Sequence, residues 1–268
     1  MAVVAVAPAP ARAPWQSLLA GFSIATPPVH RIARLPDGTA GLLFRMDRDG
    51  TGCLMVLGPR TRPLYKQPAP FELAVHAIFR PGGAYPFLGV PVDELTDRVV
   101  PARDLWGARA DRLLDDLLAP GPDRGPAAMA SRRATMSAAL AERCRAPRLY
   151  EPASAAIARA AVRRLDLADT PIRDLAADLR ISARNLRRAF SAAVGVTPKL
   201  YARIARFQRA LAIAASTPSP WAEVARATGF ADQSHLAGEF RALAGLSPSA
   251  FTRDQVADHL VIPCHLRA

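Results

Sequence analysis

Asp232, Gln233, Ser234, His235 and Glu239 fall within eight consecutive positions of a chain of 268 residues. Side chains of these types can move protons, ligate a metal, or offer hydrogen bonds to a second molecule. Spacing decides among the three. On a helix starting at Asp232, the residues Leu236, Phe240 and Leu243 share one face and must be core. Asp232 is itself a residue type that caps helix starts. Gln233, Ser234, His235 and Gly238 are then left on the outer face, toward the N-terminal end. A paired metal ligand one turn after His235 would be Glu239, but Glu239 adjoins core Phe240. Neither catalysis nor metal binding is expected of the cluster. It reads as a row of hydrogen-bonding groups along an exposed helix edge.

A second constellation has the same layout. On a helix starting at Ser182, Leu186 and Phe190 are core, and Arg184, Arg187 and Arg188 face outward. Arginine can fork onto guanine O6 and N7 or bind phosphate, and glutamine can pair bidentately with adenine. The plain alternative is a solvated basic face.

Other groups with chemical potential lead nowhere comparable. Glu72 and His76 lie on an expected strand, yet the paired histidines of a cupin metal site are missing, so His76 is expected to be a core or loop residue. "DRDG" (47–50) has Gly58 where a calcium loop needs a glutamate, and reads as a turn. The cysteines, Cys53, Cys144 and Cys264, are odd in number and far apart, which indicates neither a disulfide framework nor a zinc site. No cofactor or metal is expected. A reducing, cytoplasmic setting is.

The elements that must position the two helices come from an internal repeat. "TPIRDLAADLRISARNLRRAFSAAVGVTPKLY" (170–201) aligns with "SPWAEVARATGFADQSHLAGEFRALAGLSPSAF" (219–251). Leu175 falls on Val224, Ile181 on Phe230, Leu186 on Leu236, Phe190 on Phe240 and Gly195 on Gly245. Each unit is a module used twice. Ser/Thr-Pro pairs predict helices beginning at Pro171, Pro198, Pro220 and Pro248, with the hydroxyl residue as cap. Breaks are expected at Arg180-Ile181 and Gly229-Phe230, with Ser182 and Asp232 capping the second helix of each module. Two short helices joined by a tight turn form a helix-turn-helix. Between the modules, a helix of about 17 residues from Pro198 would span about 25 Å.

Charge is distributed accordingly. Residues 1–130 carry 14 Lys+Arg against 12 Asp+Glu, while residues 131–268 carry 21 against 11. A GC-rich genome inflates arginine generally (only Lys66 and Lys199 are lysine), but not in one half alone. A polyanion partner for the second half is implied. The first part differs in kind. Turn signals at Pro36-Asp37-Gly38, Asp49-Gly50, Gly58-Pro59 and Pro81-Gly82-Gly83 separate short apolar runs, which predicts the hairpins of a small β-sandwich or barrel over 1–105. One helix is expected over 102–119, with Leu105, Ala108, Leu113 and Leu117 inward, then a loop over 120–128. The N-terminal stretch lacks a basic region and breaks at Pro8 and Pro10, so no signal peptide is expected. No run of about 18 apolar residues suggests a membrane span.

Residues 150–253 resemble the paired helix-turn-helix domain of the AraC/XylS family of bacterial transcription regulators. The resemblance is carried by "ISARNLRRAFSAAVGVTPKLYARIARFQRAL" and "EVARATGFADQSHLAGEFRALAGLSPSAF". Residues 30–118, with "LPDGTAGLLF", "FRPGGAYPFLGVPVDELTDRVVP" and "DLWG", are similar to an uncharacterised, cupin-like sensor domain of one branch of that family. The resemblance implies an α+β two-domain protein. Its parts are a sensor or dimerisation domain at 1–130, a helical linker at 131–149, a DNA-binding domain at 150–253 and a tail at 254–268. It further implies that Arg184, Arg187, Arg188, Gln233, Ser234, His235 and Gly238 occupy base-contacting positions. Expected partners are double-stranded promoter DNA, RNA polymerase, a small-molecule effector and, as a homodimer, a second copy.

Two departures from the family pattern stand out. Arg180 replaces a turn glycine, which is tolerable if that residue is not left-handed. Gly238 replaces a long polar or basic side chain, removing a contact and costing the helix about 1 kcal/mol relative to Ala. One enzyme-like signal is Pro263-Cys264-His265, which resembles the cysteine motif of DNA alkyl-transferases joined to AraC-type domains in adaptive-response proteins. Leu266 stands where that motif continues with arginine, and three residues follow His265, so an exposed tail is expected. The remaining alternative is a small-molecule-binding protein with an incidental helical domain.

Overall fold

The computed structural model describes residues 14–26, 31–67, 69–145, 153–168, 170–216, 219–251 and 259–261. A strand-rich part is followed by a helical one, as the turn signals and periodicities predict.

The strands are β1 (Leu19–Ala25), β2 (Arg31–Arg34), β3 (Gly41–Met46), β4 (Gly52–Leu57), β5 (Leu64–Lys66), β6 (Leu73–Phe79), β7 (Val99–Pro101) and β8 (His259–Val261). They form a five-stranded sheet in the order β1-β6-β3-β4-β7 and a three-stranded sheet in the order β5-β2-β8. Alternation along β3 buries Leu42, Phe44 and Met46, as period-2 patterning requires of a one-sided strand. "DRDG" is the β3–β4 turn: the Asp49 carboxylate accepts from the Thr51 amide at 3.0 Å and its hydroxyl at 2.7 Å. His76 is a core residue of β6, and burial beside Arg34 pushes its pKa down to about 3, holding the ring neutral. Glu72 faces away to pair with Arg124 at 2.9 Å.

Helices α1 (Tyr85–Leu88), α2 (Ala102–Trp106), α3 (Ala108–Leu118) and α4 (Pro126–Arg145) contribute to one core with this sheet. Phe87, Leu88, Trp106, Leu113, Leu117, Met136 and Leu140 meet Leu42, Phe44, Val75 and Phe79 there. The single helix expected over 102–119 is two helices. Gly107, at φ +57°, breaks it and resets its phase, so Ala110 faces the core and Ala108 is exposed. The loop at 120–128 is shorter than expected, with α4 starting at Pro126. Buried Arg132 holds that turn closed, donating to the carbonyls of Leu117, Asp123 and Gly121. Within the stretch read as a helical linker, α4 places Met136 and Leu140 in the first core.

The helical part contains α5 (Ala153–Leu167), α6 (Ile172–Asp178), α7 (Ala183–Val194), α8 (Pro198–Ser216), α9 (Trp221–Ala227) and α10 (Gln233–Ala244). Its two cores mirror the repeat. One joins Val162, Leu165, Leu175, Leu186, Phe190 and Tyr201, and the other Ile204, Phe207, Val224, Phe230, Leu236 and Phe240. Helix α8 supplies residues to both. The expected helix starts at Pro198 and at Pro248 hold, with Thr197 Oγ1 accepting from the Leu200 amide and Ser247 Oγ from the Ala250 amide, each at 3.3 Å. At the other two, Pro171 and Pro220 take the cap position itself with extended ψ values of 136° and 138°, so α6 and α9 begin one residue later and without a hydroxyl cap. No helix among the described residues is long and apolar enough to cross a membrane. Pro263, Cys264 and His265 lie outside the described residues.

Candidate nucleic-acid interface

Helix α7 starts where the sequence predicts. Ser182 Oγ accepts from the Asn185 amide at 3.2 Å, satisfying one of the amides that a helix start leaves unpaired. Leu186 and Phe190 are fully buried. These two fix the rotation of the helix, and so determine which side chains it presents. Arg184, Arg187 and Arg188 are all exposed and one turn apart on the same side. Among the described residues none of the three guanidinium groups forms an ion pair. A carboxylate partner would have neutralised them, so their positive charge is available to an external anion.

Helix α10 repeats the design. Asp232 Oδ1 accepts from the His235 amide at 2.7 Å, and Leu236 and Phe240 are fully buried. Gln233, Ser234, His235 and Gly238 are exposed. All seven residues singled out in the sequence therefore stand on the outer faces of two equivalent helices. They are not equally free. The His235 ring packs edge-on against Phe230, with centroids 5.3 Å apart, and its Nδ1 accepts from the Ala231 amide at 3.3 Å. That bond leaves the proton on Nε2, so His235 presents a donor. At Gly238 a Cβ would meet nothing within 4 Å, so no packing within the chain demands glycine there.

The sequence reading gave Glu239 no partner and made Arg180 tolerable only outside the left-handed region. Glu239 is neither core nor reader: both its carboxylate oxygens accept from Arg203 Nε on α8, at 3.2 and 3.0 Å, bracing α10 against the linking helix. Arg203 and Glu239 are 36 residues apart, and no local pattern announces the pair. Arg180 is left-handed, at φ +54°, like its repeat partner Gly229 at +79°. The turn keeps the glycine geometry without the glycine, which stores strain.

These two cores, with a capped helix exposed at each, make the C-terminal part a double helix-turn-helix unit. Residues 175–254 match a family described as "Helix-turn-helix domain", and residues 15–101 match a domain of unknown function, DUF6597. The C-terminal domain is thus a helix-turn-helix domain of the AraC type, the DNA-binding kind found in transcription regulators. Among solved structures, the DNA-binding domain of AdpA in complex with a target DNA is 27% identical over 37% of this chain and 89% of that one, with a TM-score of 0.33. An apo variant of ToxT from Vibrio cholerae is 11% identical over 86% of this chain and 96% of that one, with a TM-score of 0.45. ToxT from the same organism with a bound unsaturated fatty acid is 10% identical over 86% and 94%, with a TM-score of 0.42. No curated protein matches the chain.

Proposed function

We propose that this protein is a sequence-specific regulator of bacterial promoters, working in the cytoplasm and not as an enzyme. In this reading α7 and α10 enter successive major grooves on one face of the duplex. The observation that carries it is the exposure of all seven candidate contacts on two capped helices whose opposite faces are buried. Helix α8, with 19 residues, is about 28 Å long. That is close to the roughly 34 Å between major grooves one turn apart, and modest bending of the DNA closes the gap. Arg184, Arg187 and Arg188 read guanine or hold phosphate in the first groove. Gln233, Ser234 and His235 read the second, with Gly238 contributing backbone alone.

Residues 1–130 are the sensor or dimerisation domain in this reading and residues 150–253 the DNA-binding domain. RNA polymerase is the further protein partner. A cleft of about 450 Å³ between α3 and α4, lined by Trp106, Arg109, Arg112, Asp116, Glu142 and Arg143, has room for a small polar effector. The test is selection from a random double-stranded DNA library with the full chain, followed by gel shifts. A two-part motif with half-sites about one helical turn apart is expected. Recovery of no motif, with equal affinity for all sequences, would overturn the reading.

A further inference from the structure

The loop from β2 to β3 holds the Pro36-Asp37-Gly38 turn, and every residue from Ala33 to Leu42 is buried. It lies between the two helix-turn-helix modules. Leu35, 4% exposed, belongs to the core of the second module with Ile204, Phe207 and Phe240. The Pro36 carbonyl accepts from Gln208 Nε2 on α8 at 2.6 Å. Asp37 closes the turn, accepting from the Thr39 amide and hydroxyl at 3.0 and 2.5 Å. Gly38 is left-handed at φ +66°, and a Cβ there would lie 2.7 Å from the Tyr201 ring and 3.8 Å from Val194. Tyr201 and Val194 are core of the first module. Within four residues the loop thus touches both modules and the helix between them.

Two clasps reinforce it. A helix end leaves carbonyls unpaired, and at both reading helices the first domain supplies the donor. Thr96 Oγ1 donates to the Gly195 carbonyl after α7 at 2.6 Å. The Tyr65 hydroxyl donates to the Ala244 carbonyl at the end of α10, also at 2.6 Å. Burial pushes the Tyr65 phenol up to about 12, which keeps it a donor. Gly195 and Gly245 are repeat partners, and each fits against a first-domain proline: a Cβ would lie 2.5 Å from Pro59 at Gly195 and 3.7 Å from Pro63 at Gly245. The first domain therefore grips both helices at their C-terminal ends. The seven candidate reading residues remain exposed beside it, so this docking does not mask the reading surface.

Building on the DNA reading of α7 and α10, we infer that the loop Leu35–Thr39, with Thr96 and Tyr65, fixes the separation and angle of these two helices. The first domain thereby determines which half-site spacing the protein reads. Two modules on one chain bind as a bivalent unit whose gain over a single module depends on how well the connection matches the two sites. A rigid connection rewards one spacing and rejects the next. One inserted base pair moves a half-site by about 3.4 Å and turns it by about 34°, a mismatch that a wedged pair of helices cannot follow.

The experiment uses the full chain and the selected two-part site, with zero to three base pairs inserted between the half-sites. Wild-type affinity should fall on the order of tenfold with the first insertion, the loss of one module's share of a bivalent contact. Thr96→Val/Tyr65→Phe removes both clasps and keeps the apolar bulk, and Gly38→Ala drives a methyl into the Tyr201 ring. Each is first shown by thermal melting to be folded. In these variants the selected site should bind a few-fold more weakly, with the loss on insertion shrinking to under about threefold. A folded variant of either kind with the wild-type loss on insertion overturns the inference, as does a wild-type chain indifferent to spacing. Absence of any sequence-specific binding by the wild type sinks the DNA reading itself, a separate and earlier failure.

Discussion

Arg187 shows how much one side chain can be asked to do. It follows fully buried Leu186, projects from the outer face and is exposed. A bidentate arginine–guanine pair discriminates by about 1–3 kcal/mol, whereas a phosphate contact carries no sequence information. Arg187→Ala is therefore expected to weaken binding to the selected site by that amount and to relax preference at one or two bases. Titrating site and random DNA in parallel checks it: equal losses on both would reduce Arg187 to a phosphate contact. Gly238 is the opposite case, a missing side chain with open space around it. Gly238→Arg should stabilise α10 by somewhat under about 1 kcal/mol, and steepen the salt dependence of binding by roughly one charge. Normal melting with weaker binding would instead show that the backbone here approaches the DNA too closely for a side chain.

At the scale of elements, the two modules solve one problem with different sequences. Both turn from a short first helix into a capped second one through a left-handed residue, Arg180 in one and Gly229 in the other. A side chain in that conformation costs roughly 1–2 kcal/mol. Arg180→Gly removes the strain, but gives the unfolded chain freedom worth about 0.4–1 kcal/mol. The net expectation is a stabilisation of up to about 1 kcal/mol, read from denaturant or thermal unfolding. A destabilised Arg180→Gly variant would mean that the arginine side chain makes contacts outweighing its strain. The turn between α3 and α4 depends on long-range chemistry instead: buried Arg132 reaches carbonyls on Leu117, Gly121 and Asp123.

For the whole molecule, the uneven charge sets the character of binding. With a strongly basic second half and three outward arginines on α7, phosphate contacts should release counterions when DNA binds. For roughly four such contacts, affinity of the full chain should drop about a hundredfold between about 50 and 200 mM salt. Gel shifts or anisotropy across that range measure it. A flat response would contradict an interface built on Arg184, Arg187 and Arg188.

Features under local chemical control were legible in the residues alone. A repeat with buried positions at helical spacing fixed the faces of α7 and α10, because Leu186, Phe190, Leu236 and Phe240 can be core in only one rotation of each helix. Ser182 and Asp232 announced their helix starts because capping is a contact between neighbours in the chain. Strand-rich and helical halves separated for the same reason, since alternation and helical periodicity are local signals. Tertiary structure alone decided the rest. Gly107 could be read as a permissive residue, and the structure uses that freedom, at φ +57°, to break α2 from α3. Arg180 is left-handed in the turn between buried Ala176 and Leu186, a conformation its side chain does not announce. Glu239 found Arg203, Thr96 found Gly195, Tyr65 found Ala244, and Leu35 entered a core assembled from residues more than 160 positions away. Glu239 and Arg203 meet once the second domain folds, and the other partners only when the two domains dock. A Pro-Asp-Gly turn looks the same in sequence whether it faces water or is wedged between two DNA-reading modules, because what surrounds it is set by the rest of the chain.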